Sequence, residues 1–143
     1  MNIHQISVFL ENRIGQLAEI TRLLADANVD IRAISIAETA DYGLVRMIVD
    51  DSQKASSILL AHGDIISMTP VWAVEVPDQA GGLAALLAVM ADANVAVEYM
   101  YSLFTHVDDK AYMVMRISDE PNFLAALGDK GIKVMNKESQ GLK

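Results

Sequence analysis

The sequence predicts an α+β fold made of two tandem copies of one β-α-β-β-α-β unit. Three observations carry that prediction. First, Ala25-Asp26-Ala27-Asn28-Val29 returns as Ala91-Asp92-Ala93-Asn94-Val95, 66 positions later. At the same offset Gly15-Gln16-Leu17-Ala18 aligns with Gly81-Gly82-Leu83-Ala84, Val8 with Val74, and Thr39 with Thr105. A shift of two further residues pairs Val49 with Ile117, Asp51 with Asp119 and Gly63 with Gly131, which puts a small insertion near Asp108-Asp109. Second, each copy alternates β-branched runs with apolar stripes at helical spacing. Third, 143 residues divide into a first unit at 1–69 and a second at 70–143. Units of that size bury modest cores and are marginal alone, so they are expected to lean on each other or on a second chain.

The elements follow in order. Ile6-Ser7-Val8-Phe9-Leu10 reads as a strand and Glu11 to Gly15 as a loop. Leu17, Ile20, Leu23, Leu24 and Ala27 form one helical stripe, with Asn28 as its stop. Val29–Ala37 and Leu44–Val49 read as strands around a turn at Glu38 to Gly43. Asp50-Asp51-Ser52 offers N-caps for a helix carrying Ala55, Ile58 and Leu59, and Gly63 fits its end. Ile65 to Met68 is a fourth strand, and Thr69-Pro70 marks the join. In the second copy Val71–Val76 is a strand and Pro77 to Gly82 a loop. Leu83, Leu86, Leu87 and Met90 make a stripe. Val95–Phe104 and Ala111–Ile117 are strands. Asp119-Glu120-Pro121 starts a helix with proline in its first turn. Ile132–Met135 is the last strand, and the polar tail Asn136–Lys143 is expected to fray.

Right-handed crossovers turn this order into a ferredoxin-like unit: an antiparallel four-stranded sheet with two helices on one face. A sheet with one solvated face alternates apolar and polar residues. Here both phases are apolar: Val45, Met47 and Val49 oppose Leu44 and Ile48, and Met113, Met115 and Ile117 oppose Tyr112 and Val114. Part of the second face is therefore expected to be covered, by the sister unit or by another chain.

Composition narrows the function. The formal net charge is −8, which argues against nucleic acid and against anionic membrane surfaces. There is no cysteine, so thiolate metal sites and cysteine nucleophiles are excluded. The apolar runs are too short to span a bilayer, and Met1 to Gln5 carries no basic leader pattern. A cytoplasmic protein is expected. At 52% hydrophobic residues, its extra apolar surface is expected to be covered by homo-oligomer assembly.

The loop Leu10-Glu11-Asn12-Arg13-Ile14-Gly15-Gln16-Leu17 carries the most chemistry. It feeds a helix N-terminus, whose free amides and positive dipole end suit a carboxylate. Gly15 permits close approach to the backbone, and Asn12 offers a donor and an acceptor. Asp30, at the start of the second strand, can accept from an ammonium. A carboxylate site beside an ammonium site is what a free α-amino acid needs. Asn12 and Gly15 are equally the residues of an ordinary turn or cap.

The Asn-x-x-Gly-x-Leu pattern at Asn12, Gly15 and Leu17, followed by a helix and Asn28-Val29-Asp30-Ile31, resembles the ACT domain, a regulatory module of amino-acid metabolism. The resemblance covers the whole chain as two copies. It implies amino-acid binding at an ACT–ACT interface and control of a partner enzyme of amino-acid metabolism. By that resemblance Asn12, Arg13, Ile14, Gly15, Gln16 and Leu17 line a site, with Asp30 and Ile31 across from the partner's loop. Ile14 stands where the family often has proline, and Asp30 where it often has asparagine. The second copy places Asp78, Gln79, Ala80, Gly81, Gly82 and Leu83 at the loop and Ala96 at the position equivalent to Asp30, so its site is expected to be weaker or structural.

Other signals point to nothing stronger. His4, His62 and His106 lack metal spacing, and His106-Val107-Asp108-Asp109 reads as an exposed turn. No dinucleotide, phosphate-loop or nucleophile-elbow motif is present, so no catalytic residue, metal or cofactor is expected. Met90, Met100, Met113, Met115 and Met135, with Tyr99, Tyr101, Phe104 and Tyr112, fit adaptable packing or a malleable apolar surface. The leading expectation is a non-catalytic amino-acid sensor. The alternatives are a constitutive regulatory subunit with a degenerate site, and, third, a small enzyme.

Overall fold

The computed structural model describes residues 2–11, 13–38, 42–104 and 110–143. Asn12, residues Thr39, Ala40 and Asp41 of the expected turn, and Thr105, His106, Val107, Asp108 and Asp109 lie outside the described residues. The elements are β1 (Ile3–Glu11), α1 (Gln16–Asp26), β2 (Ile31–Glu38), β3 (Tyr42–Val49), α2 (Ser52–His62), β4 (Ile66–Pro77), α3 (Gly82–Asp92), β5 (Val97–Leu103), β6 (Lys110–Ile117) and α4 (Glu120–Asp129), followed by a short 3₁₀ turn (Glu138–Gln140). They form two compact units. One comprises His4–Pro70 with Gly141–Lys143, the other Val71–Gln140 with Met1–Ile3.

In the first unit the strands are ordered β2-β3-β1-β4. β3 runs antiparallel to both β1 and β2, with Ile6 opposite Met47 and Ile34 opposite Met47 from the other side. This is the ferredoxin-like α+β arrangement. Ile6 and Val8 of β1 and Val45, Met47 and Val49 of β3 present one phase to the helices. There they meet Ile20 and Leu24 of α1 and Ala55 and Leu59 of α2. The other phase is partly buried as well: Ser7, Ala33 and Ile48 are all inaccessible or nearly so.

The second unit repeats the plan with β4-β6-β5. Trp72, Val74, Val76 and Met115 pack against Leu86 and Met90 of α3 and Phe123 and Leu127 of α4. The rings of Trp72 and Phe123 lie 6.1 Å apart, tilted at 49°, a favourable aromatic geometry. On the opposite phase Ala73, Tyr101, Leu103 and Val114 are buried, which accounts for the doubly apolar strands. The methionines therefore divide: Met90 and Met115 are core, and Met100 and Met113 pack at its edge.

Three details differ from the sequence expectation. Thr69-Pro70 lies inside the uninterrupted strand β4 rather than at a break, because proline's fixed φ is compatible with extended backbone and no glycine or asparagine is at hand to turn the chain. The last strand shrinks to a single bridge, Val74 with Val134. It is held by Glu75 N–H to the Lys133 carbonyl (2.9 Å) and Met135 N–H to the Ala73 carbonyl (2.8 Å). The tail is not frayed at its end. Leu142 is buried, and Lys143 N–H donates to the Asp50 carbonyl at 2.8 Å. With a further bond from Ser52 Oγ to the Lys143 carbonyl at 3.4 Å, these contacts anchor a segment that composition alone reads as loose.

The repeated pentapeptide acquires a physical reason. Asn28 and Asn94 both adopt φ 58°, the left-handed region. Asn28 N–H bonds the Ala25 carbonyl and Val29 N–H the Leu24 carbonyl, each at 2.9 Å, and Asn94 and Val95 do the same to Ala91 and Met90. This is the Schellman helix ending, with an apolar contact between the residue after the left-handed one and the last turn. Asparagine supplies the conformation and valine the contact. Asn28→Val should lower stability by about 1–2 kcal/mol, the cost of a left-handed branched residue, while Asn28→Gly should leave it unchanged or raise it. Equilibrium urea unfolding of both variants measures this.

Candidate functional site

The loop out of β1 is closed by its own backbone. Arg13 N–H donates to the Glu11 carbonyl at 2.7 Å and Gln16 N–H to the Arg13 carbonyl at 3.4 Å. Gly15 then takes φ 90°, ψ −8° and begins α1, and no side chain caps the helix among the described residues. The first-turn amides have no acceptor within the helix, and they sit at its positive dipole end. A cavity of about 270 Å³ opens beside them, lined by Phe9, Glu11, Gln16, Tyr42, Asp64 and Ile65 among others. It lies where the end of β1, the start of β3 and the α2–β4 connection converge.

Gln16 is the most informative residue there. It is 9% exposed, and its Oε1 has no hydrogen-bond partner among the described residues. An unsatisfied buried amide oxygen costs about 1–3 kcal/mol, so a partner beyond the described residues is expected for it. Phe9 and Tyr42 form an aromatic wall, their centroids 5.9 Å apart. Of the lining residues Phe9, Tyr42 and Ile65 remain exposed, and Ile14 on the preceding loop is completely exposed.

A chain of charges runs behind the cavity. Arg13 contacts Glu19 Oε2 at 3.3 Å, Glu19 Oε1 contacts His62 Nε2 at 3.1 Å, and His62 Nδ1 contacts Asp64 Oδ2 at 2.9 Å. The Asp64 side chain is buried, and that of His62 is about one-third exposed. The hydrogen bond that His62 donates to Asp64, with the charges of Asp64 and Glu19, raises the His62 pKa above its ordinary value despite opposing desolvation. The helix C-terminus that His62 occupies also favours the cation.

Not all of the expected residues converge. Gln16 lines the cavity, Gly15 sets its backbone, and Arg13 pairs with Glu19. Leu17 packs on the core, while Ile14 points to solvent. Asn12 lies outside the described residues. Asp30 and Ile31 stand at the other end of the unit's sheet. Ile31 pairs with Val49, whereas Glu11 pairs with Tyr42, and that ladder offset corresponds to roughly 25 Å along a strand. Asp30 is 4.0 Å from Arg32 Nε, and its N–H donates to Asp50 Oδ1 at 2.9 Å. Within one unit, then, Asp30 and the loop are separate. Sequence reasoning missed Phe9, Tyr42, His62 and Asp64. The repeat held a signal: at the shifted offset Asp64 aligns with Ile132 and His62 with Lys130, a polar pair in one copy only partly matched in the other.

The second copy's loop has the same backbone. Gly81 takes φ 87°, ψ −7°, again with no side-chain cap among the described residues. Gln79 N–H bonds the Pro77 carbonyl at 2.9 Å and Gly82 N–H the Gln79 carbonyl at 3.0 Å. Gly82 is buried where Gln16 stands in the first copy, and any Cβ there would collide with the Pro77 carbonyl oxygen. The adjoining cavity, about 300 Å³, is walled by Ala85, Leu86, Val89 and Ile132, with Gln79, Ala80, Gly81 and Gly82 at the loop and Glu75 and Lys130 as its charges. Glu75 is engaged by Lys110 at 2.8 Å. Asp78 is exposed, and Leu83 packs on the core. Among the described residues no group of three or more His, Cys, Asp or Glu is placed to hold a metal, and no helix is long and apolar enough to cross a membrane.

Residues 1–137 match the family described as an ACT domain pair. The crystal structure of protein BT0572 from Bacteroides thetaiotaomicron is similar at 33% identity, with 99% of this chain and 96% of that one covered and a TM-score of 0.89. The regulatory subunit of aspartate kinase from Thermus thermophilus shares the fold at 18% identity, 88% and 91% coverage and a TM-score of 0.65. Aspartate kinase from Synechocystis shares it at 19% identity and a TM-score of 0.57, with 95% of this chain matching 28% of that one. No curated protein sequence matches the chain.

Because its folded pKa is raised, His62 contributes stability fully below about pH 6.5, its unfolded value. That contribution fades as pH rises through the folded value. His62→Asn should therefore be destabilising at about pH 6 and neutral well above the raised pKa. Thermal melts of both proteins across this range check the sign; a larger deficit at alkaline pH contradicts it.

Proposed function

The chain belongs to the ACT domain pair family, and from that premise we propose that it is a non-catalytic regulatory protein that binds a free amino acid and modulates a partner enzyme of amino-acid metabolism. The orphaned Gln16 Oε1 carries this reading. Among the described residues this buried acceptor has no partner and the neighbouring helix amides have no side-chain cap, and a zwitterion answers both. The ligand carboxylate lies on the leading amides of α1. Its ammonium is received by Gln16 Oε1 and by the acidic side of the cavity, Glu11 and Asp64. A volume of about 270 Å³ falls just below the usual range for drug-sized ligands, which favours a single amino acid over a nucleotide.

The exposed apolar rim of Phe9, Ile14, Tyr42 and Ile65 supports closure of the site by a second copy, making the working form a homodimer or larger. In such an assembly Asp30 and Ile31 reach a loop that they do not reach within their own unit. The second copy's loop, with Gly82 in place of Gln16, serves as the weaker or structural site. A constitutive regulatory subunit is the second reading, favoured by the apolar walls of the second cavity.

A thermal-shift screen of the twenty amino acids at millimolar concentration tests the proposal. At least one should raise Tm by several degrees. Gln16→Leu should abolish that shift while leaving the ligand-free protein as stable or about 1 kcal/mol more stable, because an unsatisfied acceptor is removed. Asn12→Ala should weaken binding more than Asp78→Ala. No shift with any amino acid, or equal loss from both loop variants, rejects it. Light scattering should give a mass above one chain.

A further inference from the structure

The charges behind the first cavity are not equivalent, and the difference concerns how binding is regulated. Glu19 has two cationic partners, Arg13 at 3.3 Å and His62 at 3.1 Å. Asp64 has one cationic contact among the described residues, His62 at 2.9 Å. Asp64 also lines the cavity while Glu19 does not. Loss of the His62 proton thus leaves Glu19 still paired with Arg13. It leaves Asp64 as a buried carboxylate without a cation, facing the space where an ammonium would sit.

The other charged groups do not substitute for His62. Arg22, one turn further along α1, pairs with Asp26 at 3.8 Å. Lys54 is at the opposite end of α2. Arg46 of β3 belongs to the strand phase opposite Met47, away from the helices. Glu11 shares the cavity wall and adds negative charge to it, and Tyr42 lines it as a neutral group. The segment of β4 in this unit, Ile66–Pro70, carries no charge.

We propose that His62 is a proton-operated gate on the amino-acid site: protonated, it occupies Asp64; deprotonated, it yields Asp64 to the ligand's ammonium. This rests on the amino-acid reading above. The balance is simple. The imidazolium releases one proton to solvent, and the ligand's ammonium takes its place beside the carboxylate, so no bond other than N–H is made or broken. Binding is then tighter at mildly alkaline than at mildly acidic pH, and it expels a fraction of a proton per ligand between those limits. The chain becomes a sensor of amino acid and pH together. The second copy, with Lys130 and Ile132 at the equivalent positions, lacks the switch.

The test is an NMR titration of the whole protein with each of the twenty amino acids at about pH 5.5 and about pH 8, following the Gln16 side-chain amide and the His62 ring. Affinity should rise roughly fivefold with pH, the scale expected of one solvent-screened ion pair, and the His62 pKa should fall on binding. His62→Gln should bind at about pH 5.5 as tightly as the parent does at about pH 8. Asp64→Asn should remove the pH dependence and lower the His62 pKa even without ligand. If an amino acid moves the Gln16 resonance with equal affinity at both pH values, the gate is wrong and the binding site stands. If no amino acid moves it at either pH, both readings fail.

Discussion

A helix that begins at a left-handed glycine, with no side chain folded back onto its first turn, leaves its leading amides in need of an acceptor. That constraint is built into both halves of this molecule, at Gly15 and at Gly81, with φ values of 90° and 87°. The glycine fixes the loop backbone without a cap, the loop delivers the helix onto its sheet, and the same geometry forms one wall of a cavity in each unit. Fold and candidate site therefore share a cause. A serine or aspartate cap would have supplied the amides locally and left less for a ligand to do.

What separates the copies is one residue further on. Gln16 projects a buried amide into the first cavity, whereas Gly82 lies so close to the Pro77 carbonyl that no side chain can follow it. Around this difference the polar groups segregate. The first cavity is lined by Glu11, Gln16 and Asp64, with Asp64 bonded to the His62–Glu19–Arg13 chain, and the second by Ala85, Leu86, Val89 and Ile132 with Glu75 and Lys130. The duplicated scaffold thus carries one polar and one mostly apolar version of the same backbone site.

Much of the fold was legible in the chain because the signals are local. The helical stripes, the Asp51 and Asp119 caps, and the Asn28 and Asn94 endings are each set by neighbours a few residues away. The exact repeat at 66 residues fixed the unit size. The site was half legible. Gly15 and Gln16 stand in a recognisable pattern, but Phe9, Tyr42, His62 and Asp64 reach the cavity only through the pairing of β1 with β3 and the return of the chain after α2. Asp30 shows the converse: close to the motif in sequence, it lies across the sheet from its own unit's loop, since β2 runs parallel to β1. The anchored Leu142 was hidden for a similar reason, because a single apolar residue in a polar tail has no period to detect.

Equilibrium dialysis with the amino acid that most stabilises the protein, read as moles bound per chain, tests the central claim most directly. An asymmetric pair of loops predicts one tight equivalent per chain, lost in Gln16→Leu. Two equal equivalents per chain, both surviving that substitution, would contradict it.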